Sequence, residues 1–310
     1  EKQKKLKAEI EKRHGKTVSQ LREEREKRVE DAIELRVPDR VPVLVSTGGF
    51  AAKYTGLPQA AMYYNHMAYR EACKKVLLDF EPDVAQVAMP PSGSGLILEL
   101  LNSKYQRWPG GNLPDDASYQ YVEGEYMKAE EYPLLLKDPS NFIMRYYLPR
   151  VYGTLEPLSK LPPFWNLVNR PAGTGMTALL GILARPEFQE LAGKLQKAVQ
   201  EQERVRKEGA EFAEEMAFLG FRSQQQPGTG VGQVPFDTVS DYFRGMRGAM
   251  LDMYHCPEKL RAACEMILDW GMVQAVPANP KMGRLPSVGA TLHRGSDGFM
   301  SLKQFERFYW

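Results

Sequence analysis

The segment His293-Arg294-Gly295-Ser296-Asp297 puts an imidazole, a guanidinium and a carboxylate within one short loop. It follows Ser287–His293, a stretch that reads as a strand. An imidazole exchanges protons near neutral pH, and a guanidinium holds carboxylates through two parallel hydrogen bonds. His293, Arg294 and Asp297 are therefore candidate catalytic residues on the wall of an active site. The same residues also suit a structural Arg–Asp clamp, because buried polar groups need mutual satisfaction. Both readings stay open at this point. Arg222 and Gln224 lie at the end of another strand candidate, Phe218–Ser223, and are candidate substrate contacts. So are Asp237, the hydroxyls of Ser46 and Thr47 in the loop 46–54, and that of Ser92 in the loop 90–95. Asp237 and Arg244 are two helical turns apart. They suit either a mutual pair or two groups facing the mouth of a site.

Other motifs carry less chemistry. Ser92-Gly93-Ser94-Gly95 lies between a strand and a helix, where backbone N–H groups cradle phosphate. It lacks the Gly-Lys-Ser/Thr ending of a phosphate loop and reads better as a tight turn beside a site. Gly228, Gly230 and Gly232 fall in a glycine- and glutamine-rich loop without the helix that a dinucleotide site needs. His255, Cys256 and Cys264 lack the spacing of a zinc site, so no metal ligand is expected. Tyr146, Tyr147, Tyr152, Phe164 and Trp165 suit a flat ligand, or simply a core.

These groups need a scaffold of alternating strands and helices. Strands are expected at Val41–Val45, Asp83–Met89, Phe218–Ser223 and Ser287–His293. Helices are expected at Tyr63–Phe80, Leu96–Leu101, Glu187–Met216, Tyr242–Tyr254, Pro257–Trp270 and Ser301–Tyr309. Residues 1–36 read as a charged helical arm, broken at Gly15 and restarted by a capping box from Thr17 to Gln20. Its apolar positions are Val18, Leu21, Val29 and Ile33. Residues 37–310 read as the main domain, with an insertion around 102–180. Such alternation implies crossovers and a parallel sheet, whose strand ends deliver the active-site loops.

Composition bounds the function. The chain has 310 residues, with 41 Lys and Arg against 39 Asp and Glu. A net charge of +2 argues against a nucleic-acid protein, and no apolar run is long enough to span a membrane. Three cysteines cannot build a disulfide framework, which points to a reducing cytoplasm. The chain opens on Glu1 and stops at Trp310 inside a helix, so it reads as trimmed.

Four segments resemble the uroporphyrinogen decarboxylase superfamily in order. They are Val37-Pro38-Asp39-Arg40-Val41-Pro42-Val43, Glu81-Pro82-Asp83-Val84, Asp252 to Leu260 and Gly298 to Phe305. The resemblance covers residues 20–310. It implies an α/β fold, a TIM-like (α/β)8 barrel of which this chain carries about four strands. True decarboxylases of that superfamily follow strand one with an Arg-Gln-Ala-Gly-Arg-Tyr run, and place an Asp after strand two. Here Ser46 to Tyr54 replaces the run, and Met89 to Gly95 holds no acid. The resemblance therefore implies the corrinoid-dependent methyltransferase branch, with methyl transfer from a methylated small molecule, such as a methoxylated one, to a corrinoid protein. His293 would then protonate a leaving oxygen. Uroporphyrinogen decarboxylation and a tetrapyrrole-binding barrel without chemistry are the alternatives. The implied partners are a small-molecule substrate and a corrinoid protein, with a homodimer as a further option. No covalently bound cofactor is expected, and zinc only through residues beyond this chain.

Overall fold

The computed structural model describes residues 1–87, 89–90, 93–165, 174–221, 233–273, 292–296 and 298–310. Helices carry most of them. In chain order the first elements are α1 (Lys2–His14), α2 (Val18–Ile33), β1 (Leu44–Ser46), α3 (Gly48–Thr55), α4 (Ala61–Tyr64), α5 (His66–Phe80), β2 (Val84–Gln86) and α6 (Gly95–Leu101). Two short strands follow, β3 (Gln106–Arg107) and β4 (Gln120–Tyr121), then α7 (Tyr132–Lys137), α8 (Pro139–Phe142) and α9 (Leu148–Val151). The rest comprises α10 (Thr174–Leu183), α11 (Pro186–Phe218), α12 (Pro235–Thr238), a π turn at Val239–Arg244, α13 (Gly245–His255), α14 (Pro257–Ile267) and α15 (Leu302–Phe308). None of these helices is long and apolar enough to cross a membrane. The chain divides into two compact units. Residues 1–100, 107–120 and 196–225 form unit one; 101–106, 121–195 and 226–310 form unit two.

In unit one β1 and β2 pair in parallel, with Leu44 opposite Val84 and Ser46 opposite Gln86. A parallel pair needs a crossover, which α3, α4 and α5 supply. Tyr69, Cys73, Val76 and Leu77 recur at helical spacing on α5 and are buried with Ala51 and Ala52 of α3. Phe212, Met216 and Leu219 close the core from the end of α11. The capping box at Thr17 and Gln20 opens α2, as its sequence requires. The buried face of that helix is Val18, Leu21, Arg25, Arg28 and Asp31. Val29 is only partly covered and Ile33 lies in solvent. Two arginines therefore take the place of the expected apolar positions. Arg25 donates to the Gly220 carbonyl at 2.7 Å and lies 4.5 Å from the Phe221 ring centre.

Arg28 reaches the start of both strands. Asp83 is fully buried and accepts from Arg28, from Arg40 at 2.7 and 2.8 Å, and from the Val43 backbone at 2.8 Å. Arg28 also grips Asp39 through two bonds of 2.6 Å. That grip holds the exposed Asp39 carboxyl down at about 2. The Pro-Asp-Arg-Val-Pro and Glu-Pro-Asp-Val segments thus meet at one buried carboxylate.

The sheet is smaller than expected. Among the described residues, strands form two pairs and no closed barrel. Phe218 is the last residue of α11, not the first of a strand. Gly220 at φ +83° turns the chain there, with its would-be Cβ 2.9 Å from the Val18 carbonyl, so a side chain would clash. Leu219 and Phe221 enter the core on either side of that turn. Hydrophobicity without alternation does not separate a strand from a buried helix end. Most of the Ser287–His293 stretch lies outside the described residues, and Leu292 and His293 are irregular.

In unit two Phe142, Phe236, Val239, Ala249, Leu260 and Ala263 form the main core. The residues expected as an insertion contribute Met127, Tyr132, Leu135 and Phe142 to it.

Replacing Asp83 with Ala leaves the buried Arg28 with only the exposed Asp39, and deprives Arg40 and the Val43 amide of their acceptor. Breaking a buried pair on one side destabilises by about 3–5 kcal/mol. Denaturant unfolding should show a loss of that size for Asp83→Ala, and much less for the exposed Asp39→Ala.

Candidate functional site

Pro235 opens α12, and the π turn continues it, so Asp237 and Asp241 stand one turn apart on the same side. The His293 loop docks on that side. Asp237 is fully buried and accepts from the backbone of His293 at 2.7 Å and of Arg294 at 2.9 Å. It also accepts from the Tyr309 hydroxyl at 2.7 Å. Burial and that bond push the Tyr309 hydroxyl up to about 12, so it stays a donor. Asp241 meets His293 Nδ1 at 2.8 Å and Arg294 Nη2 at 3.0 Å, and accepts from the Ser240 hydroxyl at 3.1 Å. A carboxylate only accepts, so Nδ1 carries the proton in that bond and Nε2 is the nitrogen left to exchange one. The His293 side chain is 49% exposed, whereas Asp241 and Arg294 are almost fully covered.

Arg294 is engaged throughout. Besides Asp241, it approaches Ser240 Oγ at 3.4 Å and the Met246 sulfur at 3.5 Å, and its guanidinium stands 5.5 Å from the Phe299 ring centre. Arg294 pairs with Asp241, and Asp297, its expected partner, lies outside the described residues. Asp237, expected as a substrate contact, holds the backbone of the loop. Arg244 does not pair with Asp237. It meets Asp252 at 2.6 and 3.1 Å, the Met127 carbonyl at 2.7 Å, and Glu125. Burial works against its charge, but Asp252 and Glu125 outweigh burial and raise its pKa. A cavity of about 610 Å³ opens beside this cluster, lined by Glu123, Glu125, Arg244, Met246, Arg247 and Leu251. Its volume falls in the range of small-molecule sites.

The other expected residues lie elsewhere. Ser46 ends β1 and is exposed. Thr47 is buried, donates from its backbone to Gln86 at 2.9 Å, and lies 3.4 Å from the Tyr69 hydroxyl. Both belong to unit one, whereas His293, Arg294 and Asp237 belong to unit two. Ser92, Arg222, Gln224 and Asp297 lie outside the described residues, as does the Gly228–Gly232 loop. Tyr146 stacks on Phe142 and Tyr147 packs edge-on against Phe243, so both serve the core. Phe164 and Trp165 are exposed. No group of three or more His, Cys, Asp or Glu side chains is placed to hold a metal among the described residues. Burial pushes the Cys264 thiol up to about 12, which suits packing rather than ligation.

Asp241 and Tyr309 escaped the reading of the sequence. The spacing of Asp241 from Asp237, four residues along a helix, was the signal for the first. Nothing local marks Tyr309.

Unit one holds a second polar cluster. Glu201 accepts from Ser94 at 2.6 Å and from Arg204 at 2.8 Å, and Glu208 accepts from Arg204 at 2.5 Å and Arg70 at 2.8 Å. His66 is buried beside them, 4.0 Å from Glu208, with neither ring nitrogen hydrogen-bonded among the described residues. Burial first, then the charges of Arg204 and Arg70, lower its pKa against the pull of Glu208 and Glu201. Next to Arg70 a cavity of about 150 Å³ lies among Val87, Met89, Phe212 and Met216. Left empty, a void of that size costs about 3–4 kcal/mol at ~24 cal/mol per Å³.

Comparison of the chain with protein-family models, with curated proteins and with solved structures finds no match. The site therefore rests on its own geometry.

Asp237→Ala leaves two backbone donors without their acceptor, at about 1–3 kcal/mol for each that stays buried. Denaturant unfolding should show that loss, and a smaller one for Asp237→Asn, which keeps one carbonyl acceptor. For His66 the sign follows from its lowered pKa. The unfolded chain takes up a proton near pH 6.5 that the folded unit refuses. The stability is present above that pH and falls as pH drops below it. The unfolding midpoint should decline from about pH 7.5 to about pH 5.5, and His66→Leu should decline less over the same range.

Proposed function

We propose that this chain carries the active site of a corrinoid-dependent methyltransferase of the uroporphyrinogen decarboxylase type. The β1–β2 parallel pair is then the start of a larger α/β barrel. The observation that carries the reading is the His293–Asp241 pair. An imidazole fixed at Nδ1 by a buried carboxylate, with its ring half in solvent, is built to pass a proton through Nε2. Methyl transfer from a methoxylated donor needs that step. The C–O bond breaks, the methyl group leaves without the bonding electrons, and the oxygen that keeps them takes the Nε2 proton of a doubly protonated His293 ring, which is left neutral with its proton on Nδ1. The acceptor would be a corrinoid on a partner protein, which would supply the electron pair for the new bond to the methyl carbon. The half-exposed ring, and the open cavity whose lining residues Met246 and Glu123 meet Arg294, suit a reaction in which that partner must reach the donor.

The other residues position the imidazole. Asp241 sets the tautomer and the plane of the ring. Arg294 balances the charge of Asp241, and Asp237 with Tyr309 fixes the backbone that carries His293. The Glu123 and Glu125 carboxylates and the Arg247 guanidinium at the cavity wall offer polar contacts to a donor.

The test uses the full-length protein with a reduced corrinoid protein and a panel of methoxylated compounds, followed by the visible spectrum of the corrinoid. The expected result is methyl transfer that His293→Ala slows by about 10²–10⁴-fold, with the melting temperature kept within a few degrees. A destabilised variant that keeps full activity per folded molecule overturns the proton-donor role. Turnover of uroporphyrinogen by the same protein replaces the methyltransferase reading with decarboxylation, and saturable tetrapyrrole binding without turnover replaces it with a binding barrel.

A further inference from the structure

We propose that the cavity of about 150 Å³ in unit one is a binding site for a small, uncharged, apolar ring molecule. It is separate from the His293 cluster and independent of the methyltransferase reading. Val87 and Met89, just beyond the C-terminal end of β2, form one side of it, and Phe212 and Met216 of α11 form another. Ligand crevices of parallel α/β sheets lie at that end of the strands.

The lining selects the ligand. Among the described residues, the wall apart from Arg70 is aliphatic, thioether or aromatic. Arg70 is neutralised by Glu208 at 2.8 Å and donates to the Val205 carbonyl at 2.9 Å, so it leaves no unbalanced charge for an ionic ligand. A water molecule needs two to four polar partners, which such a wall does not offer, and apolar cavities of about this volume take benzene while excluding water. The two methionines add soft, polarisable contacts suited to a ring.

The void is also a matter of residue choice. Ala85, Gly209 and Ala213 border it, the last two one turn apart on α11. Glycine weakens a helix interior. Nothing about the backbone demands it here, since a Cβ at Gly209 would meet its nearest neighbour, Arg70 Nη2, at an ordinary 3.6 Å. Larger side chains at these positions would fill the space and strengthen the core. Their absence keeps this volume open beside the fully buried Leu77, which also lines it.

The test is carried out on the full chain labelled with ¹³C at the methionine methyls and titrated with benzene, indole and benzoate. Benzene and indole should shift the Met89 and Met216 signals saturably, leave Met246 in place, and raise the unfolding midpoint. Benzoate should do neither. Ala213→Leu should weaken benzene binding at least tenfold while keeping the fold. Ala85→Val serves the same purpose should Ala213→Leu fail to fold. The proposal is overturned if neither ring molecule saturates the two methionine signals, if benzoate binds as well as benzene, or if a folded filling variant binds benzene as tightly as the parent chain.

Discussion

The buried carboxylate of Asp83 is the constraint on which unit one depends. A charge without solvent is stable only when several donors surround it. Asp83 draws those donors from three separate places: Arg28 of α2, Arg40, and the backbone of Val43. Satisfying one side chain therefore fixes where α2 lies, where the segment before β1 runs, and how β1 begins relative to β2. Three residues of strand pairing are too few to set that register alone, whereas a coordinated carboxylate sets it at once. The helical arm is held by the same device. Arg28 is the side chain through which α2 joins the start of the sheet, and Asp39 completes its coordination.

Unit two repeats the principle with a different outcome. Asp237 and Asp241 also gather donors, but from a loop instead of from core elements. Asp237 takes the backbone of the loop and Asp241 takes its side chains. One carboxylate thus fixes where the loop lies, and the other fixes how the imidazole and guanidinium point. What distinguishes this cluster from that around Asp83 is access. The imidazole of His293 reaches solvent, while every donor to Asp83 apart from Arg40 is covered or belongs to the backbone. A charge cluster with one exposed, titratable member beside an open cavity has the elements of a reactive site, and a cluster without one has the elements of a structural joint.

The two cavities differ in the same physical terms. The larger is bordered by ionised side chains and open to water, so polar ligands can exchange their hydration for protein contacts. The smaller is bordered, apart from the paired Arg70, by apolar groups among the described residues, so only ligands that shed little hydration can enter.

Much of the helical framework was legible in the sequence because its signals are local. The capping box at Thr17, the break at Gly15, the apolar spacing of α5 and the proline that opens α14 each act within a turn or two of the chain. The His293–Arg294 pair stood out by composition, and tertiary structure kept it at a polar cluster. Partnership was not legible. Arg294 meets Asp241, 53 residues away, and Asp83 meets Arg28 across 55 residues. The expected strand at Phe218 became a helix end because buried apolar residues look alike in either conformation, and Gly220 against Val18 decided which one packs. Local hydrogen bonding settles where helices start and stop. Which charge neutralises which is settled only when burial removes the water that would otherwise solvate them all.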